Sequence, residues 1–158
     1  MDPALPPEAE VARVSRCKAE ATPRGADDVV IAADTIVVCD GKILGKPKTA
    51  EEAAAMLRLL SGRAHTVMTG LTVLHGDRVY CHTEQTQLHF RALSAREIAR
   101  YVATGEPMDK AGAYGIQGGA ALFCERIEGD YYNVMGLPVC RLYAELRTVA
   151  PEILEGRA

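Results

Sequence analysis

The longest apolar pattern in the chain spans residues 29–38 and is interrupted by the carboxylate of Asp34. A run so rich in valine, isoleucine and alanine predicts a strand that is buried on both faces. Asp40-Gly41 follows, and this pair tolerates the positive φ angles of a type I′ turn. We therefore predict a hairpin whose second strand, Ile43-Leu44, leaves the sheet at Gly45-Lys46-Pro47.

Asp34 leaves two interpretations open. A carboxylate in a buried strand is costly unless a cation, a metal or hydrogen-bond donors compensate it, so Asp34 can belong to a functional site. Lys46, at the far end of the same hairpin, is near enough in sequence for one site to contain both residues. Alternatively, Asp34 only terminates the apolar strand.

Helical periodicity predicts a first helix from about Glu8 to Ala21, with Val11, Val14 and Ala21 on one stripe. Lys18 falls on the same stripe. Its ammonium can extend outward into solvent, or it can point into a cleft lined by the following strand.

The remaining elements follow from capping residues, turns and periodicity. Thr49 and Ser94 each open a capping box, which predicts two further helices. The other predicted elements are strands near 65–74, 78–90, 120–127 and 130–135, and a last helix that Pro138 starts, with Leu142 and Leu146 on its core side.

Residues 106–119 combine several glycines with Asp109, Lys110, Tyr114 and Gln117. Glycines let a backbone approach a ligand closely, and successive amides can hold an anion. The segment has neither a Walker nor a Rossmann glycine pattern, so the glycines alone indicate phosphate binding only weakly.

Composition narrows the class of protein. The chain has 158 residues, 48% of them hydrophobic and 25% charged, which predicts one globular domain with a real core. Its net charge of −3 disfavours a nucleic-acid surface. No apolar run approaches the length of a membrane span.

The cysteines and histidines offer no clear metal or redox motif. Five cysteines without a CxxC pair favour reduced thiols, and we therefore expect a soluble cytoplasmic protein. His82 and His89 are seven apart on one predicted strand, so they face opposite sides and cannot share a metal. No serine or cysteine shows the surroundings of an activated nucleophile.

Motifs along most of the chain resemble those of the Maf nucleoside triphosphate pyrophosphatases, in the same order and at fitting spacing. They are ADTIV at 33–37, GKP at 45–47, LSG-x-x-H-x-V-x-T at 60–69, EP-x-DKAGAYGIQG at 106–118 and GLP at 136–138.

This resemblance implies a two-lobed α/β fold, with a mixed, twisted sheet flanked by helices and a deep cleft. It implies hydrolysis of a nucleoside triphosphate to the monophosphate and pyrophosphate. The ADT and AYGIQG motifs are similar to those of the branch acting on dTTP and UTP, so a pyrimidine substrate is expected. Family members need Mg²⁺ or Mn²⁺, are often homodimers, and have been linked to septum inhibition and to clearing modified nucleotides.

The resemblance also assigns roles to individual residues. Asp34 matches the proton acceptor and is a tentative metal ligand, and Lys18 and Lys46 match phosphate-contacting lysines. Thr35 and Gln117 match positions that tune base choice, while Lys110 and Tyr114 lie in the matching loop.

One departure concerns the start of the sequence. Family members begin with a strand and a Ser-x-Ser-Pro-Arg-Arg loop, followed by an acidic residue, and residues 1–158 start after both. We therefore expect a single Maf-like domain that is N-terminally truncated relative to the family. The alternative function is a catalytically impaired nucleotide-binding protein with a regulatory role in cell division.

Overall fold

A computed structural model describes residues 5–154 of the chain. The helices and strands are, in order, α1 (Pro7–Ala21), β1 (Val29–Cys39), β2 (Lys42–Leu44), α2 (Ala50–Leu60), β3 (Ala64–His75), β4 (Arg78–Phe90), α3 (Ala95–Val102), β5 (Cys124–Glu128), α4 (Tyr131–Met135), α5 (Val139–Val149) and α6 (Pro151–Leu154). Short 3₁₀ helices occupy Glu106–Asp109, Ala111–Ala113 and Gly119–Leu122.

The five strands form one sheet in the order β2-β1-β3-β4-β5. Every pairing between these strands is antiparallel. Tight turns join β1 to β2 and β3 to β4, and α2 carries the chain across β1, so that β3 runs in the same direction as β2 on the other side of β1. The predicted α/β class with flanking helices is confirmed. The mixed sheet that the resemblance implied is corrected to an antiparallel one within residues 5–154.

The turn and helix-cap residues identified in the sequence lie close to the boundaries that the structure shows. Asp40 and Gly41 have φ angles of 50° and 72°, as a type I′ turn requires. Ser94 and Glu97 form the predicted capping box. Thr49 accepts a hydrogen bond from the Glu52 amide as predicted, but the Glu52 carboxylate accepts from the Lys48 amide, so this second box is incomplete.

The sheet has helices on both faces, and strand alternation divides its residues between them. Helix α1 packs against the face formed by Ile36, Val38 and Met68, which cluster with Val11. On the opposite face lies the main core, formed with α2, α3 and the 106–123 segment; its largest members include Leu57, Leu60, Val67, Leu88 and Phe90.

The buried stripe of α1 differs from the predicted one. Val11, Ser15 and Ala19 are buried, whereas Ala21 is exposed. Ser15 belongs to the stripe because its hydroxyl lies 2.8 Å from the Thr72 hydroxyl, which satisfies both buried groups.

The strand predicted at 130–135 is wrong, because these residues form α4. The Asp130 side chain accepts a hydrogen bond from the Tyr132 amide, and Gly136, at a φ angle of 110°, ends the helix. The buried Asn133 amide donates to the Val67 carbonyl at 3.2 Å and to the Thr86 hydroxyl at 2.9 Å. The strand predicted at 120–127 is shortened to β5 by the 3₁₀ turn before it.

Helix α5 follows the prediction closely. Pro138 is its N-cap, and Leu142 and Leu146 pack with Leu71 and Val73 on the main-core face of the sheet. Among residues 5–154, no helix has the length and apolar character that crossing a membrane requires.

Candidate functional site

A cavity of about 550 Å³ lies on the main-core side of the sheet, between β1, β3 and the 106–118 segment. It collects lysines, an amide and apolar side chains from parts of the chain far apart in sequence. Its lining residues are Thr35, Val37, Lys46, Val67, Glu106, Lys110, Ala111, Tyr114, Gly115, Ile116, Gln117, Gly118, Val134 and Met135.

The floor of the cavity is tied to α4 by hydroxyl groups. Thr35 and Thr69 are paired across β1 and β3, with their hydroxyl oxygens 2.9 Å apart. The Thr69 hydroxyl also lies 3.0 Å from the Asn133 carbonyl and donates to it. Thr35 therefore has a fixed neighbour on β3, and α4 is held so that Val134 and Met135 close one side of the cavity.

Two lysines line the same cavity. Lys46 directly follows Gly45, whose carbonyl accepts a hydrogen bond from the Gly112 amide at 3.1 Å. This bond fastens the end of the β1–β2 hairpin to the loop that carries Lys110. Lys110, 2.7 Å from Asp109, and more weakly Lys46 lower the pKa of the Asp109 carboxyl below its ordinary value. The cavity therefore has two cationic side chains that can meet an anion.

Two glycines of the 106–119 loop pack closely against side chains of the protein itself. A Cβ on Gly118 would lie 2.5 Å from the Glu106 carboxyl carbon. A Cβ on Gly115 would lie 2.7 Å from Lys110 Cε. The backbone thus passes close against two of the protein's own cavity-lining side chains. The close approach to a ligand that we expected for these glycines stays a prediction.

Tyr114 forms part of the cavity wall, but its hydroxyl is directed into the core. It lies 2.8 Å from His65 Nε2, and His65 is only 3% exposed. Burial, with a smaller effect of His89, lowers the pKa of His65 to about 4. Burial likewise raises the pKa of the Tyr114 phenol. Tyr114 therefore shapes the cavity rather than supplying a free hydroxyl to it.

Asp34 and Lys18 lie on the other face of the sheet. Asp34 immediately precedes Thr35 on β1, so its side chain points toward α1, where Lys18 Nζ lies 2.5 Å from Asp34 Oδ1 and 3.3 Å from the Ala33 carbonyl. Gly70, opposite Asp34 on β3, permits the close packing of α1. Of the two interpretations for Lys18, the structure favours the inward one.

The structure thus divides the predicted site residues into two groups. Thr35, Lys46, Lys110 and Gln117 line the cavity. Lys18 and Asp34 form an ion pair on the opposite face of the sheet. The two groups approach each other at the edge of β1 that faces β2, because β2 pairs only with Val37–Cys39 and does not extend to Asp34 and Thr35. Among the described strands, none pairs with that side of β1 beside Asp34.

The donor groups suit a cation that arrives with a phosphate ligand. Within residues 5–154, no three histidine, cysteine or acidic side chains lie together as a metal site would need. Mg²⁺ is commonly held by one or two carboxylates together with substrate phosphates rather than by a full protein cage. Asp34, with an 18% exposed side chain, fits that arrangement as a single oxygen ligand.

Sequence reasoning missed two parts of the cavity. Glu106 lay inside the matched EP-x-DKAGAYGIQG motif but was assigned no role. Val134 and Met135 reach the cavity because α4 replaces the predicted strand. Gly115 and Gly118, which lie on either side of Gln117, were the signal in the sequence that a side chain packs closely against this loop.

A cavity of this size, lined by apolar groups and a few convergent polar ones, is of the kind that binds small molecules in proteins. The chain belongs to the Maf family: the family described as Maf-like protein matches residues 2–149. The family predicted from the motifs is therefore confirmed.

Several relatives are named "dTTP/UTP pyrophosphatase". The protein from Geobacillus sp. (strain WCH70) is 59% identical over 118 residues, which cover 75% of this chain and 63% of that protein. The protein from Syntrophomonas wolfei is 49% identical over 145 residues, covering 90% and 77%. The protein from Agathobacter rectalis is 43% identical over 166 residues, covering 93% and 81%. The chain thus spans less than two thirds of the Geobacillus relative.

Proposed function

We propose that the chain is a nucleoside triphosphate pyrophosphatase that hydrolyses dTTP and UTP to the monophosphate and pyrophosphate. The observation that carries the proposal is the meeting of Lys46, Lys110, Thr35 and Gln117 in one cavity. These residues come from the β1–β2 hairpin and a loop more than sixty positions later. The printed name of the relatives, dTTP/UTP pyrophosphatase, supports the same substrate class.

The base is proposed to lie between the apolar walls of the cavity. Val37, Val67 and Val134 offer surfaces for the faces of a flat ring. The Gln117 amide can donate one hydrogen bond and accept another, which matches the mixed donor and acceptor edge of a pyrimidine. Thr35, held by Thr69, adds a hydroxyl at the floor.

The phosphates are proposed to meet the lysines and to cross the edge of β1. Lys46 and Lys110 can stabilise negative charge that develops on the polyphosphate during the reaction. Because Asp34 and Thr35 are neighbours on β1, a substrate that passes this edge can contact groups from both faces of the sheet. The triphosphate chain would then run from the cavity toward the Lys18–Asp34 pair.

Asp34 is proposed to act on the attacking water. Its carboxylate, held in place by Lys18, can orient or deprotonate a water for attack on the α-phosphorus. Lys18 is half exposed, so its ammonium can also turn toward a phosphate oxygen. A divalent cation, Mg²⁺ or Mn²⁺, held by Asp34 and phosphate oxygens, would supply charge neutralisation for the leaving pyrophosphate.

The proposal is tested by incubating the chain with Mg²⁺ and a panel of triphosphates, with the products separated by ion-exchange chromatography. We expect equimolar dTMP and pyrophosphate from dTTP, and faster turnover of dTTP and UTP than of GTP. GTP or 7-methyl-GTP as the best substrate would contradict the base assignment. Nucleotide binding without turnover would favour the regulatory alternative.

Matched lysine variants test the phosphate site. Lys46→Met and Lys110→Met each remove a cation from the cavity, and each should lower kcat/KM about tenfold or more because a charge-assisted contact is lost. Lys42→Met, an exposed position on β2 outside the cavity, should leave kcat/KM unchanged. Equal effects of all three variants would contradict the placement of the phosphates.

Two expectations stay predictions, the homodimer that the family resemblance implies and the cytoplasmic compartment that the cysteines favour. Sedimentation velocity tests the homodimer, and localisation of the tagged protein in its host tests the cytoplasmic compartment.

A further inference from the structure

The Glu106 carboxylate joins two parts of the cavity wall. It accepts a hydrogen bond from the Tyr101 hydroxyl at 2.9 Å and another from the Gly119 amide at 3.1 Å. Tyr101 is buried, and its phenol pKa is raised mainly by burial, so its hydroxyl stays a donor. Glu106 therefore connects α3 to the loop that follows Gln117.

These hydrogen bonds bracket Gln117 on both sides. Gly119 lies two residues after Gln117 and bonds to Glu106. Gly115 lies two residues before it, and its amide donates to the Tyr101 hydroxyl at 3.1 Å. The exposed loop that carries Gln117 is thus held at each end by one connected pair of side chains, Tyr101 and Glu106.

The backbone of the loop at Gly115 and Gly118 packs closely against the side chains of Glu106 and Lys110. A Cβ at Gly118 would meet the Glu106 carboxyl group, and a Cβ at Gly115 would lie 2.7 Å from Lys110 Cε and 3.4 Å from Glu106 Oε1. The side chains of Glu106 and Lys110 therefore flank the same short stretch of backbone.

We infer that Glu106 is a positioning residue for base selection, because it fixes the Gln117 loop at a set place relative to Lys110. This inference rests on the proposed function, in which Gln117 meets the base and Lys110 meets the phosphates. Nothing in it requires Glu106 to touch the reacting atoms. Glu106 acts through the backbone amides of the loop, with Tyr101 as its partner.

The test compares base preference in Glu106→Gln and Tyr101→Phe with that of the wild type. Glutamine has one acceptor oxygen for two donors, and phenylalanine lacks the hydroxyl that joins Glu106 to Gly115. Each variant should raise KM for dTTP about tenfold with a smaller change in kcat. The ratio of kcat/KM for dTTP over GTP should fall by a similar factor, because GTP does not depend on a correctly placed Gln117.

The double variant adds a second readout. Because both residues hold one loop, Glu106→Gln with Tyr101→Phe should lower the dTTP preference no further than either change alone. Glu125→Gln, which removes an exposed carboxylate outside the cavity, is the matched control and should keep the wild-type preference. If Glu106→Gln fails to fold, as judged by circular dichroism, Tyr101→Phe carries the test.

Three results would overturn the inference. Equal losses for dTTP and GTP would mean that the residue is merely structural, and an unchanged preference in folded variants would mean that it has no role. Additive effects in the double variant would separate Glu106 from Tyr101. Failure of the proposed function looks different, since the wild type would then turn over no nucleoside triphosphate.

Discussion

Replacing Gly70 by alanine adds one methyl group at the closest approach of α1 to β3. The new Cβ would lie 2.6 Å from the Val11 carbonyl carbon and 2.9 Å from the Ala12 nitrogen. Relaxed contacts of this kind are about 3.5 Å or longer. Since the obstacle is helix backbone, no change of rotamer relieves it, and α1 must move by about 1 Å.

The expected loss in the free energy of unfolding follows from this steric overlap. Overpacking of a tight interior contact costs about 1–3 kcal/mol in the free energy of unfolding. For a chain of this size, each kcal/mol lowers the melting temperature by about 2–4 °C, so a fall of about 2–12 °C is expected. The helix also carries Lys18, and misplacing a site residue by about 1 Å can lower turnover by up to about 10²-fold.

Thermal melting and dTTP turnover of Gly70→Ala measure these two effects. Gly45→Ala is the matched control for stability, because a Cβ at Gly45 meets no atom within 4 Å. A melting temperature equal to that of the wild type would refute the packing of α1 on β3. Lost stability with unchanged turnover would refute the link between α1 and the site.

Three further predictions follow from single side chains. Asp34→Asn removes the charge with little change of shape, and dTTP turnover should fall by about 10² or more while nucleotide binding, measured by calorimetry, changes less. Asn133→Ala removes the donor that the Val67 carbonyl and the Thr86 hydroxyl share, and urea unfolding should show a loss of about 1–3 kcal/mol. His65, with a pKa near 4 when folded against 6.5 ordinarily, binds its proton first in the unfolded state. Unfolding free energy should therefore decline by up to about 3 kcal/mol as the pH falls from 6.5 to about 4, and His65→Gln should remove that part of the slope.

Each of these predictions has a contradicting result. Turnover of Asp34→Asn within a few-fold of the wild type would contradict a role for Asp34 in the reaction, since β1 continues past Asp34 to Cys39 and this residue does not end the strand. Unchanged stability of Asn133→Ala would mean that α4 is not held by this amide. An identical pH slope in His65→Gln would mean that other groups cause the acid instability.

Elements with local signals could be predicted from the sequence. The Asp40-Gly41 turn needs positive φ at two adjacent positions, and Ser94 with Glu97 satisfies helix amides within four residues. Such choices depend on backbone chemistry nearby in the chain, so they can be identified without the rest of the fold.

The helix α4 was mispredicted as a strand although Asp130 and Gly136 cap it locally. Its tyrosines and valine favour a strand by propensity. The Asn133 side chain instead donates hydrogen bonds to groups on β3 and β4, more than forty residues away in the sequence. These buried hydrogen bonds outweigh a weak local preference.

The site was predicted in part. Strand alternation already implies that Asp34 and Thr35 point to opposite faces, but the sequence does not reveal which face carries the cavity. The EP-x-DKAGAYGIQG motif indicated the loop with Lys110 and Gln117. The contact of Tyr101 with Glu106, which holds that loop, depends on how α3 ends and was not visible in the sequence.

The most direct test of the proposed reaction is hydrolysis of dTTP in ¹⁸O-labelled water, with the products analysed by mass spectrometry. Attack of water on the α-phosphorus places one labelled oxygen in dTMP and leaves the pyrophosphate unlabelled. We predict this result, in equimolar amounts, and its strong reduction in Asp34→Asn. Label in pyrophosphate, or formation of dTDP and inorganic phosphate, would contradict the account.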